Sequence, residues 1–387
     1  MPHPRRPRFL ALFAVLALGT IALTLWVNRP APPRYTVTDL GVLPGYVSVT
    51  AVAVNSRGDV ACSANNTGSG TGRACVYQGG RLVTLGVPPG FTDDMASSMN
   101  SWGEVVGTAC ASGHSNTSHA FLYSRGKMQD LGTLPGLPET YVTGLNNRGQ
   151  VVGGALAARG KTGKRPPDHA FLFSSGHMMP LPPPPGCTEV VAIGINDAGQ
   201  VVVNPYGGRL SQPFLYDAQT GRWTTLAPPA GAQQGGASAL NGQGQAAGWA
   251  GPFGGTFNTE PSTHAVLWSG GAATDLGTLP GATDSGAFAL NGRGEVVGFA
   301  EYEPSAAGEA IGMRLRESNP LRRLFRTNST RRAFMWRAGR MADLNDLIPR
   351  ASGWTLAEAH GINDRGQIVG DGEHDGQQRA FLLTPLR

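Results

Sequence analysis

The sequence predicts an all-β fold: a seven-bladed β-propeller of four-stranded blades, closed by pairing the N-terminal strand with the last repeat. Three observations lead there. A turn of the form Asn-x-x-Gly occurs seven times, at Asn55, Asn100, Asn146, Asn196, Asn241, Asn291 and Asn363. Most of these turns recur at the ~40–50-residue blade length of propeller repeats. The residues two and four before each Asn are small in nearly every copy, as in Ala51 and Ala53, Ala192 and Gly194, or Ala359 and Gly361. Composition agrees with this reading. With 56 Gly and 29 Pro among 387 residues, helical bundles are disfavoured, whereas 40% hydrophobic residues are enough for a packed core.

The chain opens on a basic segment, residues 1–8, with Arg5, Arg6 and Arg8. Residues 9–27 carry no charge and are long enough to span a bilayer. They predict a transmembrane signal-anchor, with a cleaved secretory signal as the alternative. The Arg cluster keeps the N-terminus in the cytoplasm and places the remainder outside, in the periplasm or the extracellular space. Residues 28–34, rich in Pro, form a short linker, and 35–387 the propeller.

Each repeat reads as four strands. Residues before the Asn form strand A, and Asn-x-x-Gly is the A–B hairpin turn. The run after Gly, such as Gln150-Val151-Val152-Gly153, is strand B. The pattern His-Ala-Phe-Leu at 119–122 and 169–172 is strand C, and strand D ends at Asp-Leu-Gly-Thr-Leu-Pro-Gly, seen at 130–136 and 275–281. A row of small residues suits the innermost strand, where blades converge. The last repeat stops after strand C, and residues 35–40 form an unmatched strand D at the other end of the chain. Pairing the two completes blade seven and leaves no free edge at the seam.

These motifs, in this order, resemble the HAF-repeat family of extracellular repeat proteins, named for His119-Ala120-Phe121 and its copies. The resemblance spans about residues 35–383. It implies an extracellular, propeller-like repeat protein, and it implies no activity or catalytic residue.

The residues themselves point to a binding or scaffold module for a cell-envelope or extracellular ligand. The B–C loops differ in length while the A–B turns do not, and variable loops on a rigid scaffold are where binding concentrates. The longest, residues 301–331 in blade six, carries Arg314, Arg316, Arg322, Arg323 and Arg326, a candidate surface for an anionic polysaccharide or lipid. An envelope protein is the other partner class. The alternative is a lyase or hydrolase of an extracellular polymer with its site at the channel mouth. Its candidates are Glu358 and His360, the only His–carboxylate pair on an inner strand. No cofactor or metal motif is present: His119, His169 and His264 occupy equivalent positions on different blades, too far apart to share an ion. The net charge of +5 gives no nucleic-acid signal. Cys62 and Cys75, on adjacent strands of blade one, predict a cross-strand disulfide.

Overall fold

A computed structural model describes residues 34–66, 72–111, 117–157, 168–206, 212–251, 262–302 and 331–386. The expected anchor at 9–27 lies outside these residues. Among the described residues, no helix is long and apolar enough to cross a membrane.

The described residues form seven four-stranded antiparallel sheets arranged as propeller blades. Blade one shows the plan, with strands A (Ser48–Val54), B (Val60–Asn65), C (Gly72–Gln78) and D (Arg81–Thr84) in that spatial order. Blade seven takes strands A (Trp354–Ile362), B (Ile368–His374) and C (Gln377–Pro385) from the C-terminus and strand D (Tyr35–Asp39) from the N-terminus. The seam is antiparallel, from Tyr35 opposite Pro385 to Asp39 opposite Phe381. The N-terminal strand thus closes the ring as expected.

Between each pair of neighbouring sheets lies one apolar cluster. That between blades two and three joins Val106, Ala120 and Leu131 to Val142, Val151 and Phe171. The Phe of the His-Ala-Phe motifs and of their Arg-Ala-Phe relatives is central: Phe121, Phe171, Phe334 and Phe381 are fully buried. Opposite each stands a strand-B glycine, as in Gly107–Phe121 and Gly153–Phe171. A β-carbon on Gly107 would come within 2.0 Å of the Met95 carbonyl oxygen and 2.6 Å of the Phe121 ring. This clash accounts for the last residue of the Val-Val-Gly motif. The Leu-Pro-Gly segments are turns with Pro at the second position and a left-handed Gly at the third. In the turn at 134–137, Gly136 has φ 77° and Leu137 N–H donates to Leu134 O at 2.9 Å.

The inner strands explain the small residues. A β-carbon on Gly144 would lie 3.0 Å from the Gly194 Cα of the next blade, and one on Gly361 would lie 3.4 Å from the Ala53 Cα. Adjacent A strands therefore touch. The wall at the A–B mouth is lined instead by the apolar residue just before each Asn, from Val54 to Ile362.

The turn asparagines carry the ring. Each is buried, between 3% and 6% exposed. The Asn241 Oδ1 accepts the N–H groups of Gln243 and Gln245 at 3.0 Å each, which builds the turn. The Nδ2 donates to Gln245 Oε1 at 2.8 Å and, across the blade boundary, to the Asn291 backbone carbonyl at 3.0 Å. The same inter-blade bond runs from Asn100 to Asn146, Asn146 to Asn196, Asn196 to Asn241, Asn291 to Asn363, and across the seam from Asn363 to Asn55 at 2.8 Å. The partner four residues on is always an acid or an amide: Asp59, Glu104, Gln150, Gln200, Gln245, Glu295 or Gln367.

Replacing Asn241 with Ala orphans two backbone donors and the Asn291 carbonyl, each costing about 1–3 kcal/mol when left unmet. Asn241→Ala should lower stability by roughly 3 kcal/mol or more in denaturant titrations. The exposed neighbour Gln243→Ala should change it by under about 0.5 kcal/mol. Equal effects would remove the ring's structural role.

Candidate functional site

Strand A of every blade carries a β-bulge three residues before the turn Asn, and in blade seven the bulged residue is His360. A bulge re-aims its side chain, and His360 reaches toward blade one. Its Nδ1 lies 2.9 Å from the Ala51 backbone oxygen, and its Nε2 lies 3.1 Å from Glu358 Oε2. The Phe288 ring of blade six packs edge-on against it at 5.5 Å. The structure thus brings the sequence candidates Glu358 and His360 together.

It adds three groups to them. Arg331, the first residue of strand C in blade six, donates to Glu358 Oε1 at 2.6 Å and to Glu301 Oε2 at 3.2 Å. Its guanidinium sits 4.2 Å above the Phe299 ring, a cation–π contact. Asp371, on strand B of blade seven, lies 3.7 Å from His360 Nδ1 and accepts the Ala51 N–H at 3.4 Å.

The geometry sets the protonation of His360. One ring nitrogen faces a carbonyl oxygen and the other a carboxylate, and both can only accept, so both ring N–H groups donate and the ring is an imidazolium. Burial alone would lower its pKa, but the bond to Glu358 and the charges of Asp371 and Glu358 hold it above the ordinary value. The bond from His360, joined by Arg331, keeps Glu358 below the usual carboxylate range despite burial. Burial pushes Asp371 up to about 6 against the attraction of His360. The cluster is therefore internally paired. His360 has no lone pair to act as a base, and both Glu358 oxygens are engaged.

The His360 contact belongs to a series of links between blades. The inner edge of strand A presents backbone groups that need partners, and the preceding blade supplies them. The Ser63 Oγ bonds Ala96 O and N, Asn204 bonds Ala237 O and N, and the bulged Thr143 donates to Ala192 O at 2.7 Å. His360 does for Ala51 what Thr143 does for Ala192.

The second recess is the A–B mouth of the channel, about 390 Å³, lined by the turn asparagines and the apolar residues before them. Its asparagine amides are committed to the bonds described above, which leaves them little capacity for a ligand.

Other sequence candidates resolve locally. His119 Nδ1 pairs with Asp130 at 2.9 Å and His264 Nδ1 with Asp275 at 2.9 Å, each within its own blade. Among the described residues, no group of three or more His, Cys, Asp or Glu could hold a metal ion. Arg314, Arg316, Arg322, Arg323 and Arg326 lie outside the described residues. The insertion begins after Glu301 and ends before Arg331, because these two residues belong to strands B and C of blade six.

The expected Cys62–Cys75 disulfide is not formed, and both residues are free thiols. They stand directly opposite each other, in the register that Gly107 and Phe121 occupy in blade two. The pair thus fills the volume of a glycine and a phenylalanine in the core. Each thiol donates to a backbone carbonyl, Cys62 to Val60 and Cys75 to Cys62, at 3.6 Å each. The hydrogen-bond contact with Cys75, reinforced by burial, pushes the Cys62 thiol well above its ordinary pKa.

Sequence reasoning counted Arg331 among the arginines of the insertion and did not connect it, or Asp371, with Glu358 and His360. Asp371 had a readable signal, since it occupies the strand-B position that Ser63, Thr108 and Asn204 occupy as inter-blade linkers. Arg331 had none, because a long insertion separates it from Glu301.

No protein-family model matches the chain, and no curated protein matches it. Solved structures do. The chain is similar to the β-propeller domain of the Trilobed protease from Pyrococcus furiosus, described as having an open velcro topology. That match has 10% identity and TM-score 0.51 and covers 88% of this chain and 98% of that one. It is similar to an oligogalacturonate lyase from Vibrio parahaemolyticus, with 9% identity, TM-score 0.53, and 92% and 98% coverage. A third match is to a prolyl endopeptidase, with 12% identity and TM-score 0.50, covering 77% of this chain and 42% of that one. At such identities the likeness establishes the fold, and this chain is a seven-bladed β-propeller.

Two measurements follow from this geometry. In the folded chain Asp371 holds a proton up to about pH 6 that the unfolded chain releases near 3.8, so its contribution to stability falls as pH rises through that window. Asp371→Asn removes this decline. Relative to the native chain, its urea midpoint should rise between about pH 4 and pH 6, and a flat difference would contradict the assignment. In native alkylation followed by mass mapping, the exposed Cys110 should label while Cys62 and Cys75 label only after unfolding.

Proposed function

We propose that this propeller is a member of the HAF-repeat family, tethered outside the cytoplasm by residues 9–27, and that it binds a cell-envelope or extracellular ligand through its B–C face. One observation carries the reading. All seven A–B turns share one hydrogen-bonded form, whereas the B–C connections range from the two residues between His374 and Gln377 to the 29 between Glu301 and Arg331. The C–D hairpins change only from two residues to the four between Asp217 and Arg222, so the length variation is concentrated at the B–C face, the build of a recognition module. The Arg-rich insertion makes an anionic polymer the favoured ligand class.

A second reading, a lyase or hydrolase of an extracellular polymer, draws on the meeting of Glu358, His360 and Arg331. The internal pairing of that cluster argues against it. Turnover of any uronate-containing or neutral polymer, abolished by Glu358→Gln, would reverse the order of the two readings.

The test is a binding screen of the full chain against acidic and neutral polysaccharides, with residues 303–330 replaced by a short Gly-Ser bridge in a variant. Keeping Glu301 and Arg331 preserves the ion pairs of Arg331 with Glu301 and Glu358. Loss of acidic-polymer binding by tenfold or more is expected in the variant, and unchanged binding would rule out the insertion as the ligand surface.

A further inference from the structure

The two faces of the ring carry opposite charge among the described residues. On the A–B and C–D hairpin face, Arg57, Arg148, Arg293 and Arg365 occupy the third position of four A–B turns. The C–D hairpins add Arg125 and Lys127 in blade two and Arg337 and Arg340 in blade six. Arg57 and Arg293 are paired with Asp59 and Glu295, while Arg148 and Arg365 stand exposed. The B–C and D–A face is acidic, with Asp39, Asp93, Asp130, Asp275, Glu301 and Glu373 at its strand ends.

The basic face is also the one on which the N-terminal strand enters. Tyr35 pairs with Pro385 at the C–D end of blade seven, and Arg34 is bonded to Leu347 and Leu386 there. Residues 28–33 between the expected anchor and Arg34 reach at most about 20 Å even when fully extended. The same face bears Trp102, 67% exposed, in the A–B turn of blade two. Its indole N–H donates to Asn147 O at 3.1 Å, and the Arg57 guanidinium holds its carbonyl at 3.2 Å. An exposed Trp among cations is the composition of surfaces that settle at a lipid headgroup layer.

We infer that the A–B and C–D face is a membrane-facing surface that rests on anionic lipid headgroups and turns the B–C loops away from the bilayer. The inference rests on the tethered reading above. It commits to lipid as the occupant because tether entry, short linker, basic charge and exposed Trp coincide on one face.

The test uses the full chain in vesicles of phosphatidylcholine alone or mixed with phosphatidylglycerol, containing a dansyl-headgroup lipid as energy acceptor. Subtracting the signal of Trp102→Phe isolates transfer from the basic face, and subtracting that of Trp354→Phe isolates the opposite face, where Trp354 stacks on His374. Transfer from Trp102 should exceed that from Trp354 several-fold in the anionic vesicles. The excess should shrink with Arg148→Glu and Arg365→Glu, and in 1 M salt, where the screening length falls to about 3 Å. Equal transfer from both faces of a chain that resists alkaline extraction overturns the inference and leaves the tether standing. A chain released by alkaline extraction overturns the tether. The face is then judged by the binding of the released chain to anionic vesicles, which the two charge reversals must weaken several-fold if the inference holds.

Discussion

Seven buried asparagine side chains hold the centre of this molecule. Where blades converge, the A–B turns leave the sheet ladder and present backbone N–H and C=O groups with no strand to pair with. Asparagine meets both demands, since its carbonyl oxygen gathers two N–H groups of its own turn and its amide reaches the carbonyl of the next. Six such bonds, one of them across the seam, join the seven turns head to tail in a network whose members orient one another. The acid or amide four residues on takes the remaining amide hydrogen. A turn so constrained cannot be lengthened, so variation in the repeat falls elsewhere, chiefly at the other end of the strands.

Further along the inner strands, the same need is met less uniformly. Ser63, Thr143 and Asn204 each satisfy a backbone group of the next blade with a neutral side chain. At the seam the work falls to His360 and Asp371, and with them come Glu358, Arg331 and Glu301. A charged solution is costlier to bury than a neutral one and stands only because each charge is paired. The cluster reads as reinforcement of the junction where the first and last parts of the chain meet.

Much of this was legible in the sequence. The seven turns, the small residues at Ala51, Gly194 or Gly361, and the unmatched strand before Gly41 predicted the blade count, the inner strands and the closure. The bonds between blades were harder to read. An Asn in an Asn-x-x-Gly turn is fully explained by local geometry, and nothing in one repeat reveals the carbonyl of the next. The recurring acid or amide at Asp59, Gln150 and Gln367 was the available sign, since a hairpin alone does not ask for it. Cys62 and Cys75 looked like a bridge because they are close. Alignment with Gly107 and Phe121 shows that they fill a core position, where packing decides residue type. Glu358 and His360 were found by pattern, but their saturation depends on Ala51 and Arg331, which only the folded ring brings near.

The seam between Tyr35–Asp39 and the last blade has a consequence for biogenesis. Thr36 and Thr384 are bonded across 348 positions of sequence. The first strand to leave the ribosome or a translocation pore therefore has no partner until nearly the whole chain has followed. Blades one to six can each assemble from contiguous chain, but ring closure waits for the last of them and bears the entropic cost of so long a loop. In that interval the waiting strand is an open β-edge, which makes this stretch the point at which chaperone capture or strand exchange between newly made copies would act.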